Sequence, residues 1–210
     1  MARHDQIKGT VAEYYSAKVV EFGATPQGVD WRDGESQDLR FERFNPLISD
    51  SRVDSICDLG CGYGAFLNFL RSRGRTVSYR GLDISAEMVS AAQEALSTDP
   101  LAQFDVGDKP APADLVVASG IFNVRGTTAD SEWSDYILDT LDEMWAAARV
   151  GIGYNVLTTC SDPSLRRANL FYADIAWLLQ ENVSRLGDRI LIDQSYGLYE
   201  ATIMIWKGKR

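Results

Sequence analysis

Apolar positions along this chain change their spacing near residue 50. Before it, Ile7, Val11, Tyr14, Tyr15, Val19 and Phe22 recur at three- and four-residue steps. That spacing predicts a helix over residues 5–22. Gly23 to Gly34 is rich in Gly, Pro and Asp and reads as a loop. A second helix is expected from Ser36 to Leu47, with Leu39, Phe41 and Phe44 apolar. From Val53 onward, short apolar runs alternate with helix-like segments. Strands are expected at 53–58, 76–82, 101–106 and 113–119, and helices at 64–73 and 85–97. Ser85 suits an N-cap for the second of these helices, and Glu87 adds charge to its first turn. Trp133, Ile137, Leu138, Leu141, Met144 and Trp145 mark an amphipathic helix over 131–148. A strand at 149–158, a helix at 169–182 and strands at about 187–194 and 198–206 complete the pattern.

Strands alternating with helices imply a parallel sheet with helices on both faces. The last two strands are joined by about three residues, Ser195-Tyr196-Gly197, too few for a crossover helix. They are expected to form an antiparallel hairpin. The fold class is therefore α/β: a doubly wound, seven-stranded, mostly parallel sheet with a C-terminal antiparallel hairpin. Residues 1–50 form an N-terminal helical cap of the same domain, and residues 51–210 form the sheet body. A length of 210 residues with 45% apolar content suits one compact unit.

Charge and cysteine content narrow the class further. The net charge of −9 makes nucleic acid an unfavourable partner, because the average field repels phosphates. The three cysteines are Cys57, Cys61 and Cys160, an odd number with no disulfide framework in view. Neither a signal-like apolar segment at the N-terminus nor a run near the ~20 residues of a membrane span is visible. The expectation is a cytoplasmic protein with reduced thiols, no membrane partner and no bound metal.

The chemistry concentrates where the first strand ends. Asp58-Leu59-Gly60-Cys61-Gly62-Tyr63-Gly64 carries three glycines at alternate positions between a strand and a helix. Glycine there permits positive φ and close approach of a ligand to the backbone. The helix N-terminus that follows favours anionic ligand groups. Asp83, at the end of the second strand, lies about twenty residues further on, the spacing at which a carboxylate accepts from ribose hydroxyls. Asp105 and Asp108, after the third strand, are alternatives for accepting from an adenine amino group. Taken alone, Gly60-Cys61-Gly62-Tyr63-Gly64-Ala65 also satisfies the relaxed dinucleotide fingerprint, so a nicotinamide cofactor stays open on the glycines.

The acid two residues before the first glycine, the third glycine at 64 and the terminal hairpin together resemble the class I S-adenosylmethionine-dependent methyltransferases, which have a Rossmann-like sheet. The resemblance spans residues 53–206. It implies S-adenosylmethionine as cofactor, with S-adenosylhomocysteine as product. By resemblance, Asp58, Gly60 and Gly62 line the methionine moiety, with Cys61 a small turn residue in the same cradle. Asp83 holds the ribose, Ile84 and Met88 pack near the adenine, and Asp108 meets the adenine edge. Ser119 and Phe122, after the fourth strand, run beside the sulfonium. Further likeness to bacterial small-molecule methyltransferases lies in Gly28-Val29-Asp30-Trp31, Glu35-Ser36-Gln37 and Arg40-Phe41, which adds Trp31 and Arg40 to the expected cofactor site.

Methyl transfer is an in-line displacement, so alignment of the nucleophile is the protein's main task. A general base is needed only for a nucleophile that must lose a proton. With a single histidine, His4, near the N-terminus, the base candidates are Asp30, Asp174, Tyr15, Tyr172 and Tyr199. Tyr15, Asn123, Asn155, Tyr172 and Tyr199 are expected to face the acceptor. The resulting expectation is methyl transfer to a small molecule, such as a hydroxyl of a sugar or secondary metabolite. A non-catalytic S-adenosylmethionine-binding regulatory subunit and methylation of a protein or RNA are the alternatives.

Overall fold

A computed structural model describes residues 4–29, 31 and 33–208. The first helix, α1, spans Asp5–Phe22. After it come a short turn of 3-10 helix at Pro26–Val29 and the helices α2 (Gly34–Arg43) and α3 (Asn45–Ile48). The sheet body follows as β1 (Ser55–Leu59), α4 (Ala65–Ser72), β2 (Ser78–Asp83), α5 (Ala86–Ala95), β3 (Ala102–Val106) and β4 (Ala113–Ala118). It closes with α6 (Asp130–Ala147), β5 (Ala148–Leu157), α7 (Ile175–Arg185), β6 (Ile190–Asp193) and β7 (Glu200–Trp206).

These strands form one seven-stranded sheet in the order β3-β2-β1-β4-β5-β7-β6. β7 alone runs against the rest, antiparallel to β5 on one side and β6 on the other. The order reverses between β1 and β4, and such a switch point opens a crevice at the carboxyl ends of the strands.

Alternation within each strand feeds two apolar layers. Ile56, Leu115, Val117, Val150 and Met204 point to one face, where they meet Phe41, Phe44, Leu47, Phe66, Leu67 and Val89 from α2 to α5. Cys57, Val116, Ile152, Tyr154 and Ile203 point to the other, against Trp133, Ile137, Leu141 and Met144 of α6 and Leu178 of α7. Two buried donors of the second layer find acceptors, as burial favours. Trp133 Nε1 donates to the Phe122 carbonyl at 2.9 Å, and Asn182 Nδ2 donates to the Tyr154 hydroxyl at 2.6 Å.

The cap is seated on bare backbone. A Cβ added at Gly153 of β5 would lie 2.9 Å from Phe44 and 3.0 Å from Leu47. Glycine at this position lets the start of α3 rest directly on the sheet. The helix expected over 36–47 is in fact two, meeting at Phe44, because Pro46 lacks an N–H and its ring opposes a continuous helix. The helix expected over 169–182 starts later, at Ile175. Asp174 Oδ1 accepts from the amides of Ala176 and Trp177 at 2.8 and 3.2 Å and caps it. Residues 168–169 instead form a turn, and the chain from 170 to 173 runs beside the sheet, with bridges Val124–Leu170 and Thr158–Ala173. The hairpin connection is also longer than expected, running from 194 to 199. Asp193 Oδ1 accepts from the Ser195 amide and hydroxyl, ending β6 in an Asx turn. Among the described residues, no helix is long and apolar enough to cross a membrane.

Gly153→Val is expected to push Phe44 and Leu47 off the sheet and lower unfolding stability by about 1–3 kcal/mol, the usual cost of overpacking. Urea denaturation followed by tryptophan fluorescence would measure this.

Candidate functional site

The carboxyl ends of β1, β2 and β4 open into a cavity of about 450 Å³, within the range of small-molecule sites. Its floor is Asp58, the turn 60–63, Asp83 and Ile84, with Met88 of α5 beside them. Gly107 and Asp108 after β3 and residues 119–121 after β4 form its sides. Helix α1 and the cap form the roof through Val11, Tyr14, Tyr15, Trp31, Gln37 and Arg40.

The glycine turn is fastened from below. The Gly60 and Cys61 amides donate to the Leu82 carbonyl at 2.7 and 3.0 Å. The Gly62 amide donates to Asp83 Oδ2 at 2.9 Å, and the Gly64 amide to the Cys61 carbonyl at 3.0 Å. Gly60 has φ +77°, and a Cβ there would fall 2.1 Å from Ile121 Cγ2, so only glycine fits. With these amides taken by protein oxygens, the turn offers little to an anion. The amides engaged are those of the glycine turn, and those at the start of α4, Ala65 and Phe66, are not among them.

What the floor offers instead is carboxylate. Asp58 is buried and accepts a hydrogen bond from the Tyr79 hydroxyl. Burial pushes its pKa from 3.8 up to about 7, against the Tyr79 hydrogen bond and with added repulsion from Asp83. Asp83 is also raised by burial, and its bonds from the Ser85 and Gly62 amides oppose that. Two buried acids with few cations beside them suit a ligand that brings positive charge or hydrogen-bond donors.

The sequence profile of the methyltransferase domain family matches residues 57–151. Rv1506c of Mycobacterium tuberculosis, named as a methyltransferase, is 44% identical over 163 residues, covering 77% of this chain and 98% of that protein. The chain belongs to the class I S-adenosylmethionine-dependent methyltransferases. A malonyl-[acyl-carrier protein] O-methyltransferase of Pectobacterium atrosepticum is 29% identical over 134 residues, 64% of this chain and 49% of that protein. The chain thus spans about half of that relative. Among solved structures, the magnesium protoporphyrin IX methyltransferase of Synechocystis PCC 6803 with bound S-adenosylhomocysteine has the same fold, with TM-score 0.68 and 12% identity over 96% of this chain and all of that one.

In this methyltransferase, Trp31 lies against the backbone after β4, where a Cβ on Gly120 would be 2.6 Å from its ring. The Arg40 guanidinium stacks on Trp31 at 3.9 Å from the ring centroid. It also donates to both carboxylate oxygens of buried Glu200 at 2.6 and 2.8 Å, and to the Ser36 carbonyl at 2.6 Å. This fork binds the cap to the start of β7. Asp108 reaches the cavity wall and pairs with Lys8 of α1 at 2.6 Å. Asp105 pairs with Arg80 at 3.0 Å and is not on the wall.

Several expected residues stand behind the wall rather than on it. Phe122 is fully buried and packs edge-on against Tyr154. Asn155, also fully buried, holds the loop after β4: its Nδ2 donates to Ser119 Oγ at 2.9 Å and its Oδ1 accepts from the Gly120 amide at 2.8 Å. Tyr172 is off the wall, its hydroxyl accepting from the Arg167 amide at 3.0 Å. Tyr15, Asn123 and Tyr199 do line the cavity, and Asn123 Oδ1 accepts from the Leu157 amide at 3.1 Å. Asp30 lies outside the described residues. Asp174, considered as a base, is committed to capping α7.

Sequence reasoning missed Gln37, Tyr63, Arg167 and Glu200 on the wall. The Tyr63 hydroxyl donates to Gln37 Oε1 at 2.9 Å, joining the glycine turn to the cap. Gln37 and Arg40 are three apart on α2, so one helix face carries both, a signal the sequence held. Glu200 had no such signal, because its partner is 160 positions away.

Because the Asp58 carboxyl is raised in the folded state, the stability linked to it is fully present below pH 3.8 and lost as the pH rises through about 7. Asp58→Asn is expected to gain stability relative to the parent across that window, by up to ~1.4 kcal/mol per pH unit. Urea titrations at pH 4, 5.5, 7 and 8 would show the two curves diverging. Parallel curves would refute the assignment.

Proposed function

We propose that this cavity holds S-adenosylmethionine and directs its methyl group to a small-molecule acceptor of secondary-metabolite size. The observation that carries the proposal is the floor: two buried acids beside a turn in which the amides of Gly60, Cys61, Gly62 and Gly64 already have protein acceptors. That chemistry favours a ligand with an ammonium, a sulfonium and donating hydroxyls, and disfavours the pyrophosphate of a dinucleotide. When bound, the cofactor supplies a methyl carbon on an already good leaving group.

The residues' parts follow from their places. Asp83 accepts from the ribose hydroxyls, with its second hydrogen-bonding duty to Gly62 holding it in position. Asp58, Gly60, Cys61 and Gly62 border the methionine moiety, with Ser119 opposite. Ile84 and Met88 flank the adenine and Asp108 its polar edge. Trp31 and Arg40 close the roof and exclude water, so orientation rather than acid–base chemistry is the chain's main contribution.

Roofing by α1 and the cap supports a small acceptor over a folded protein or RNA. Of the similar proteins, one is named for a porphyrin, magnesium protoporphyrin IX, and another for a malonyl group carried on an acyl-carrier protein.

Titration calorimetry with S-adenosylhomocysteine should show binding, and NADH in the same cell should show none. Asp83→Ala should weaken binding by roughly 1.5–3 kcal/mol for each charge-assisted hydrogen bond lost, with circular dichroism unchanged. Equal affinity in the variant, or heat with NADH alone, would sink the reading.

A further inference from the structure

Among the described residues, the acceptor side of the cavity carries no carboxylate or imidazole left over for use as a base. Its described wall carries four carboxylates, and each has a task. Asp58 and Asp83 lie on the floor, Asp108 is paired with Lys8, and Glu200 is held by both arms of Arg40. No histidine lines it, since His4 is engaged with Asp139 at 3.0 Å away from the wall. The Cys61 thiol is buried and its pKa pushed well up by that burial, so it stays protonated. The remaining titratable groups are phenols, which as a class release a proton only near pH 10.

One cation on the same wall is unused. Arg167 comes from the loop between β5 and α7, just before the turn at 168–169, and it is exposed at the cavity. Its backbone is bonded to Tyr172 and Leu170, but its guanidinium has no hydrogen-bond or ion-pair partner among the described residues. The neighbouring arginines differ: Arg125 pairs with Asp130 and donates to backbone carbonyls, and Arg166 donates to the Thr159 and Ser161 carbonyls. The same wall carries the apolar Ile121, Val124, Leu157 and Leu170 together with Asn123 and Asn169. A guanidinium in that setting matches a planar oxyanion on an apolar body.

We infer that the acceptor is a carboxylic acid with an apolar body, methylated on its carboxylate oxygen and steered by Arg167. The inference rests on the proposed S-adenosylmethionine site. A carboxylate is already ionised near pH 7, so the missing base is no obstacle. An acceptor oxygen forms the new C–O bond with its own lone pair while the C–S bond breaks and sulfur keeps that pair. The anion's charge cancels the sulfonium's, no proton moves, and the products are a methyl ester and S-adenosylhomocysteine. A hydroxyl acceptor would need a proton taken from it, and the described wall leaves no carboxylate or imidazole over for that task.

The test uses the whole protein saturated with S-adenosylhomocysteine and four probes: phenylacetate, phenylacetamide, 2-phenylethanol and phenyl phosphate. Calorimetry should show phenylacetate binding at least tenfold more tightly than the other three. Arg167→Ala should abolish that preference and Arg167→Lys should restore part of it, with S-adenosylhomocysteine affinity unchanged in both. The side chain has no hydrogen-bond or ion-pair partner among the described residues, so its removal should leave the fold intact. With S-adenosylmethionine, mass spectrometry should find methyl phenylacetate and no methylated alcohol or amide. Equal or absent binding of the carboxylate, a preference for the phosphate, or an unaltered preference in Arg167→Ala overturns the inference while the cofactor site stands. Failure of the wild type to bind S-adenosylhomocysteine overturns both.

Discussion

The Asp83 carboxylate is the tie on which the site depends. One oxygen holds the Gly62 amide at 2.9 Å and the other holds the Ser85 amide at 2.9 Å. Three elements therefore meet on one buried side chain: the turn after β1, the end of β2 and the start of α5. The Leu82 carbonyl adds the Gly60 and Cys61 amides. Fixing the turn in this way engages the Gly60, Cys61 and Gly62 amides, so they are not available to a ligand. The same hydrogen bonds that shape the cradle also decide what charge it tolerates.

A second constraint acts from above. The Arg40–Glu200 fork is buried, with 8% and 2% of the residues exposed. A bidentate pair at that depth is costly to break singly, since the partner left behind is an unpaired buried charge. It links α2 to the first residue of β7, and the Trp31 ring lies on it. Close seating of α3 on Gly153 completes the attachment. The roof is thus built from interactions between the beginning and the end of the chain, and the cavity exists only where both meet the middle.

Much of the architecture was legible in the residues. Apolar runs at Ile56–Leu59 and Leu115–Ala118 bury nearly every position, the mark of central parallel strands. Ser85 does cap α5, accepting from the Met88 amide. Boundaries failed where a single polar or cyclic side chain overrode periodicity: Pro46 split one helix and Asp174 delayed another. On the wall, Asp58, Gly60, Gly62 and Asp83 were visible because their spacing is local to one strand–turn–helix unit. Phe122 and Asn155 were misplaced because a loop's side chains turn inward or outward according to tertiary contacts, which no periodicity reports.

By itself the sequence determined the order of strands and helices, the antiparallel close and the position of the glycine cradle, because these depend on spacing along a few neighbouring residues. Only the tertiary structure decided which charges remain unspent. Whether a carboxylate or guanidinium is free depends on partners 100 or 160 positions away, as with Lys8–Asp108 and Arg40–Glu200. Those long-range pairings engage Lys8, Arg40, Asp108 and Glu200 and leave the Arg167 guanidinium without a partner among the described residues, and no local pattern of residues could have reported it.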